Sequence, residues 1–244
     1  MAGFDVDPAL AASMRDSLAE VAGPAVEDDV IAAREVGEAL RRVIDRLTAT
    51  SAPPDVLRQV VAQLAPIEEV LRPYGAVRSY KGAAEASGLG APPGSGLQRD
   101  TAFFDWSPLL GLANPLAPPM PVAVEGDMIV GHVRFGIAYE GPPGCVHGGF
   151  IAAAFDELLG LTQSLSGKVG MTGTLTVKYR KPTPLHTDLR IEGRVESVNG
   201  RKVLTNGRML AGDMLTAEAT GLFISIAPED FRAWSAQREQ VPEP

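Results

Sequence analysis

The first third of the chain places apolar residues at helical spacing among polar ones. The first such run, residues 8–21, begins with a proline, which suits the first position of a helix. Residues 27–47 carry an apolar stripe at three- and four-residue steps, with acids in the first turn and arginines near the end. A third run covers residues 55–71, and Pro66 is expected to interrupt it. The pattern predicts that residues 1–74 form a helical extension.

Residues 75–100 have a different composition. Glycine, alanine, proline and serine dominate them, which leaves too little apolar surface for independent packing. We interpret this segment as a linker or a long loop between the helical extension and a second domain at residues 101–228. Residues 229–244 are assigned to a C-terminal tail.

The second domain is predicted to contain one central helix and several strands. The helix, residues 148–165, is apolar almost all round in its first half, which indicates burial. Asn199-Gly200 is a strong signal for a two-residue hairpin turn between two strands. The predicted strands are residues 128–139, 172–180, 188–198, 201–211 and 214–226. Because no helices separate the last four strands, we expect an α+β fold in which an antiparallel sheet wraps around one helix, and not parallel winding.

Composition and charge narrow the possible functions. The formal net charge is −8, which argues against a protein that binds nucleic acid through a basic face. No segment approaches the ~18 uninterrupted apolar residues of a membrane span, and the N-terminus lacks the basic start of a secretory signal. The single cysteine excludes an internal disulfide and a cysteine-based zinc site, and only three histidines are present. We therefore expect a cytoplasmic protein that uses no metal or redox cofactor.

Candidate chemistry is concentrated at the start of the central helix. The backbone N–H groups of Gly148 and Gly149 are predicted to be unpaired, because the first N–H groups of a helix have no partner within it. The positive end of the helix dipole favours negative charge at this place, which suits an oxyanion site for a thioester carbonyl. An ordinary buried helix start that uses small residues for packing is the alternative.

Asp156 stands among apolar residues of the same helix. A buried aspartate is costly unless it is paired or used, so Asp156 is a candidate general base or nucleophile. The alternative is that Asp156 lies on a narrow polar stripe of the helix together with Gln163. The neighbouring Glu157 is expected to face solvent or an interface. Gly148 and Asp156 are eight residues apart, or ~12 Å along a helix, so one carbonyl carbon cannot contact both. A site that uses both residues requires two copies of the chain at a two-fold dimer interface.

Three motifs carry a resemblance to a known family. They are Gly-Pro-Pro-Gly-Cys-Val-His-Gly-Gly at residues 141–149, an aspartate nine residues after the histidine, and Met-Thr followed by Leu-Thr-Val-Lys-Tyr-Arg-Lys-Pro at residues 175–182. The chain resembles the hotdog-fold acyl-CoA thioesterases over about residues 110–227. Within them it is most similar to the PaaI-like branch and the mitochondrial thioesterase-superfamily members of animals.

The resemblance implies a role for each motif residue. Asp156 matches the catalytic carboxylate of the family, as a base or a nucleophile, and Thr172 matches the residue that holds the attacking water. Gly148 matches the glycine whose N–H polarises the thioester carbonyl from the partner subunit, and His147 matches the histidine that shapes the loop. Some members carry an asparagine six residues before that histidine as a second carbonyl ligand, but this chain has Gly141 there.

The implied substrate is an acyl-CoA, hydrolysed to a free acid and coenzyme A by a homodimer or homotetramer. Gly149 is placed at the substrate, and Lys178, Arg180 and Lys181 are candidate ligands of the coenzyme A phosphates, with a solvated basic surface as the alternative. Another function remains open, that of a non-hydrolytic acyl-CoA- or lipid-binding protein whose helical extension recruits a partner. A hydratase is disfavoured, because that chemistry pairs the aspartate with a histidine about five residues later, where this chain has Leu161.

Overall fold

The computed structural model of the protein describes residues 28–74, 104–168 and 170–227. The predicted helix at residues 8–21, the linker at 75–100 and the tail at 229–244 lie outside the described residues, so these interpretations and the proposed domain boundaries stay predictions.

Two helices form the described part of the extension. Helix α1 is Asp28–Thr48 and helix α2 is Pro54–Leu71, close to the predicted bounds. The predicted interruption at Pro66 is wrong, since α2 continues through this residue. None of the α2 side chains is buried, so solvent can reach the backbone carbonyl that the proline leaves without an N–H donor.

Helix α1 is fixed to the segment that leads into the sheet. The Arg34 guanidinium donates two hydrogen bonds of 2.8 Å to the carboxylate of Asp105, whose side chain is buried. Arg41 donates to the backbone carbonyls of Leu112 and Asn114, at 2.9 and 3.0 Å. A charge-assisted bidentate pair of this kind fixes orientation as well as position. The helix therefore has a defined place against the second domain.

Six antiparallel strands form one sheet in the order β1-β2-β4-β5-β6-β3. The strands are β1 Val122–Glu125, β2 Met128–Val133, β3 Gly170–Tyr179, β4 Leu189–Asn199, β5 Lys202–Ala211 and β6 Met214–Ser225. Among the described residues, strand β3 pairs only with β6 and is one edge of the sheet, and most of its residues are exposed. The last four strands and the hairpin turn at Gly200, which has φ +55°, confirm the predicted antiparallel arrangement.

The start of the sheet differs from the prediction. Strand β1 was not predicted, since its four residues are too few for a periodic signal. Strand β2 ends at Val133 and not at residue 139, because the Phe135 carbonyl accepts the N–H of His186 instead of continuing the ladder. The backbone then forms a 3₁₀ turn at Ile137–Tyr139.

Helix α3, Gly148–Ser164, is buried against the inner face of the sheet, as predicted. Gly193 of β4 and Gly207 of β5 are directly paired beneath it. A Cβ atom at residue 193 would lie 2.2 Å from Thr162 Oγ1, and one at residue 207 would lie 3.0 Å from the Phe155 ring. These glycines therefore form a trough that lets the helix approach the backbone of the sheet, with Phe155 completely buried.

Candidate active site

The side chain of His147 caps the N-terminus of α3. Its Nδ1 accepts the N–H of Gly149 at 3.0 Å, and its own backbone N–H donates to the carbonyl of Tyr139 at 2.9 Å. The prediction that both glycine N–H groups are unpaired is therefore wrong for Gly149, because the imidazole occupies its N–H. The Gly148 N–H makes no hydrogen bond within the described ranges and is available to a ligand.

Tyr179, at the end of β3, contacts the same helix start. Its hydroxyl donates to the carbonyl of Gly148 at 2.8 Å. A Cβ atom at residue 148 would lie 3.2 Å from this hydroxyl oxygen, so a residue other than glycine requires the Tyr179 side chain or the helix start to shift. Tyr179 belongs to a sequence motif but has no role predicted from sequence, since only the pairing of β3 with β6 brings it to the helix.

The loop before the helix explains the departure at Gly141. The Gly141 N–H donates to the Cys145 carbonyl at 2.9 Å, which closes a tight turn. A Cβ atom at residue 141 would lie 2.7 Å from the Cα of His147. An asparagine at this position would therefore displace the capping histidine in this loop.

Asp156 and Thr172 are brought together, although they lie on different elements. The Thr172 hydroxyl donates to Asp156 Oδ1 at 2.8 Å. The register of β3 shifts between Thr172 and Thr174, so Gly173 forms a bulge beside this contact. Asp156 is half-buried and not fully buried as expected, because its side of α3 faces the exposed edge strand. A carboxylate that is both accessible and oriented by a hydroxyl can take a proton from a bound water molecule.

Glu157 was predicted to face solvent or an interface. It is half-buried, and the buried hydroxyl of Ser107 donates to Glu157 Oε1 at 3.3 Å. This contact ties α3 to the segment that also holds Asp105, so Glu157 is a structural neighbour of Asp156 and not its competitor.

A basic groove of about 320 Å³ lies on the outer face of the sheet. Its lining includes two of the predicted phosphate ligands, Lys178 and Arg180, but not Lys181. Arg180 is paired with Glu218 at 2.5 Å, and Arg208 of β5 lies beside Glu218 in the sheet register. Sequence analysis missed Arg208, because only the strand register places it near Lys178. The remaining lining residues are Thr176, Asn206, Gly207, Ala219 and Thr220.

One chain does not bring all the predicted groups into a single site. Gly148 is the first residue of α3 and Asp156 is the ninth, on one helix.

Among the described residues there is no group of three His, Cys, Asp or Glu side chains that could hold a metal ion. No helix in the described ranges is long and apolar enough to cross a membrane.

A sheet wrapped around one buried helix is the hotdog fold of thioesterase-like proteins. In this chain the helix begins with a free glycine N–H and carries a carboxylate about two turns further along. A sequence profile of the thioesterase superfamily matches residues 143–218. The crystal structure of a thioesterase superfamily protein, RHA08564, is 30% identical, with 83% of this chain and 92% of that chain covered and a TM-score of 0.68. The chain belongs to the thioesterase superfamily.

Curated relatives are similar over a shorter region. The acyl-coenzyme A thioesterase THEM4 of Xenopus laevis is 46% identical over 92 residues, which are 36% of this chain and 41% of that protein. THEM4 of Mus musculus is 38% identical over 96 residues, which are 38% of this chain and 41% of the relative. This chain therefore spans about two fifths of the length of these curated relatives.

Proposed function

We propose that this protein hydrolyses acyl-CoA thioesters to a free carboxylic acid and coenzyme A. The observation that carries the proposal is the 2.8 Å hydrogen bond from Thr172 to the accessible carboxylate of Asp156. Membership of the thioesterase superfamily and the similarity to proteins named acyl-CoA thioesterases support it. Hydrolysis consumes only water and substrate, so the proposal includes no metal or redox cofactor.

Asp156 activates the attacking water in the proposed mechanism. The Thr172 hydroxyl donates a hydrogen bond to Asp156. The lone pairs of the Thr172 oxygen therefore remain free to accept a hydrogen bond from the water. Asp156 takes a proton from this water molecule as the water oxygen attacks the thioester carbon. The carbon–sulfur bond then breaks, and the departing thiolate of coenzyme A receives the proton that Asp156 took from the water, which restores the carboxylate. Direct attack by the Asp156 carboxylate, followed by hydrolysis of the anhydride, is the variant of this mechanism that the same geometry allows.

The carbonyl oxygen is held by Gly148 of the partner subunit. Gly148 and Asp156 are separated by ~12 Å along α3, too far to serve one carbonyl group within a chain. A two-fold dimer places the α3 N-terminus of one subunit beside Asp156 of the other and builds the site twice. The long, mostly exposed edge strand β3 supports this assembly, because an unpaired strand edge is a ready surface for pairing with another chain.

Replacing Thr172 by valine is expected to lower kcat about tenfold, since valine keeps the shape but cannot orient the carboxylate or the water. Steady-state release of free thiol from an acyl-CoA measures the effect. Thr174→Val, on the exposed part of the same strand, is the matched control and should retain activity. Equal rates for the two variants would remove Thr172 from the mechanism.

The basic groove is proposed to hold the phosphates of coenzyme A. Lys178 and Arg208 flank Glu218 across three strands, and Arg180 already neutralises this carboxylate, so the groove has a net positive charge. Lys178 and Arg208 are therefore the two cations available to an anionic ligand. Lys181 lies outside the groove and is not assigned this role.

The double substitution of Lys178 and Arg208 by alanine should raise KM for acyl-CoA about tenfold and leave kcat unchanged. The same variant should hydrolyse the corresponding acyl-pantetheine, which lacks the nucleotide phosphates, like the wild type. Lys202→Ala, an exposed lysine at the start of β5, is the control. A loss that is the same on both substrates would mean that the groove does not bind phosphate.

The proposed activity is tested with a panel of short, long, branched and aromatic acyl-CoAs, on which release of free thiol is measured. Turnover of one class with saturation kinetics is the expected result and names the acyl preference. Saturable binding without turnover on the whole panel would overturn hydrolysis and favour the non-hydrolytic acyl-CoA-binding protein.

A further inference from the structure

Helix α1 of the extension contacts the backbone just before the candidate active-site loop. Asp45, three residues before the end of α1, places its carboxylate against the 3₁₀ turn Ile137–Tyr139. Asp45 Oδ1 accepts the N–H of Ala138 at 3.4 Å. A Cβ atom at Gly136 would lie 2.7 Å from both carboxylate oxygens, so the contact depends on glycine at that position.

This 3₁₀ turn supports the start of α3. The carbonyl of Tyr139 accepts the N–H of His147 at 2.9 Å, and His147 is the residue that caps α3. The Tyr139 ring packs edge-on against Phe150 in the first turn of α3, with ring centroids 4.9 Å apart. The Tyr139 hydroxyl donates to the carbonyl of Leu116 at 3.1 Å, which fixes the far end of the ring.

Asp45 therefore acts on the turn by hydrogen bonding and by charge. The first N–H groups of a helical turn have no partner within it, and the turn has no side-chain cap of its own, so a carboxylate from outside satisfies one of them. Burial, together with the nearby charge of Asp45, raises the pKa of Tyr139 to about 12.

We propose that Asp45 is a positioning residue, through which the helical extension holds Tyr139, His147 and the free N–H of Gly148 in the geometry needed for catalysis. The inference rests on the proposed thioesterase function, because it assigns Asp45 to the support of that oxyanion site. Asp45 itself does not touch the substrate.

Asp45→Leu removes the acceptor and should lower kcat about tenfold with KM for acyl-CoA unchanged, since a small displacement of a donor acts on the transition state. Asp45→Asn keeps a carbonyl oxygen for the Ala138 N–H and should recover most of the lost kcat. Glu35→Leu, on an exposed position of the same helix, is the control and should behave like the wild type.

Gly136→Ala tests the same contact from its other side. The added methyl group displaces the carboxylate and should reproduce the loss in kcat. In the double variant Asp45→Ala/Gly136→Ala the methyl group has room, so its kcat should equal that of Asp45→Ala alone and not the product of both losses. If the losses in kcat of the two single variants multiply in the double variant, the two residues act separately, and this result would contradict the proposal.

Hydrogen–deuterium exchange of residues 138–150 separates this inference from the proposed activity. Asp45→Leu should speed exchange in this segment, while Asp45→Asn and Glu35→Leu should not. A wild type without turnover overturns the thioesterase proposal, but exchange still reports whether Asp45 holds the loop. Unchanged exchange in Asp45→Leu, or a loss confined to KM or to the melting temperature, overturns the role of Asp45.

Discussion

Replacing Asp156 by asparagine is expected to lower kcat for thiol release from acyl-CoA by about two orders of magnitude or more. Asparagine cannot accept a proton from water or attack the thioester, which removes the contribution of a positioned base or nucleophile. The amide oxygen can still accept the hydroxyl proton of Thr172, so the fold and the substrate affinity should be retained. Steady-state kinetics with acyl-CoA, together with binding of a non-hydrolysable thioether analogue, measures both quantities.

The control for this substitution is Asp213→Asn, in the exposed turn between β5 and β6. It makes the same chemical change at an exposed position outside α3 and should leave kcat and KM unaltered. Turnover in Asp156→Asn within about threefold of the wild type would contradict the assignment of Asp156, since a base contributes at least about a hundredfold.

Replacing Gly148 by valine should reduce kcat about a hundredfold, the loss expected when one oxyanion donor is removed. The added Cβ lies 3.2 Å from the Tyr179 hydroxyl, and the two methyl groups beyond it cannot be accommodated unless the helix start or the tyrosine moves. Movement of the helix start shifts the Gly148 N–H away from the carbonyl oxygen, and movement of Tyr179 removes the hydrogen bond that fixes the Gly148 carbonyl. The rate of thiol release measures the loss.

Gly160→Ala is the matched control, because it adds a side chain to the same helix without a close contact. A Cβ atom at residue 160 has its nearest neighbour, an atom of the Phe223 ring, at 3.8 Å. Alanine also has the higher helix propensity, so this variant should be active and at least as stable as the wild type. A Gly148→Val enzyme as active as the wild type would contradict the predicted displacement of the helix start.

The sequence predicted the fold well where the pattern was long and regular. The apolar first half of α3 and the alternating segments that became β3 to β6 fixed the architecture, because burial of one helix by one sheet leaves few arrangements. Two local features of the sheet were not predicted from the sequence. Strand β1 is too short for a periodic signal, and β2 ends early because Phe135 pairs with His186, a contact distant in sequence.

The candidate site was predicted in its residue types but not in its contacts. The resemblance to the thioesterases singled out Asp156, Thr172 and Gly148, whereas the capping of Gly149 by the His147 ring depends on a rotamer that no pattern encodes. Tyr179 and Arg208 were missed because strand register places them. Register and caps are tertiary features, so a single sequence carries only weak signals for them.

The most direct test of the account is a complementation experiment between two inactive variants. Asp156→Asn and Gly148→Val chains with different affinity tags are co-expressed, and the mixed dimer is isolated through both tags. If each site combines Asp156 of one subunit with Gly148 of the other, the mixed dimer has one intact site of two, so its kcat should be about half that of the wild-type dimer. A mixed dimer as inactive as both parents would contradict a site shared between subunits.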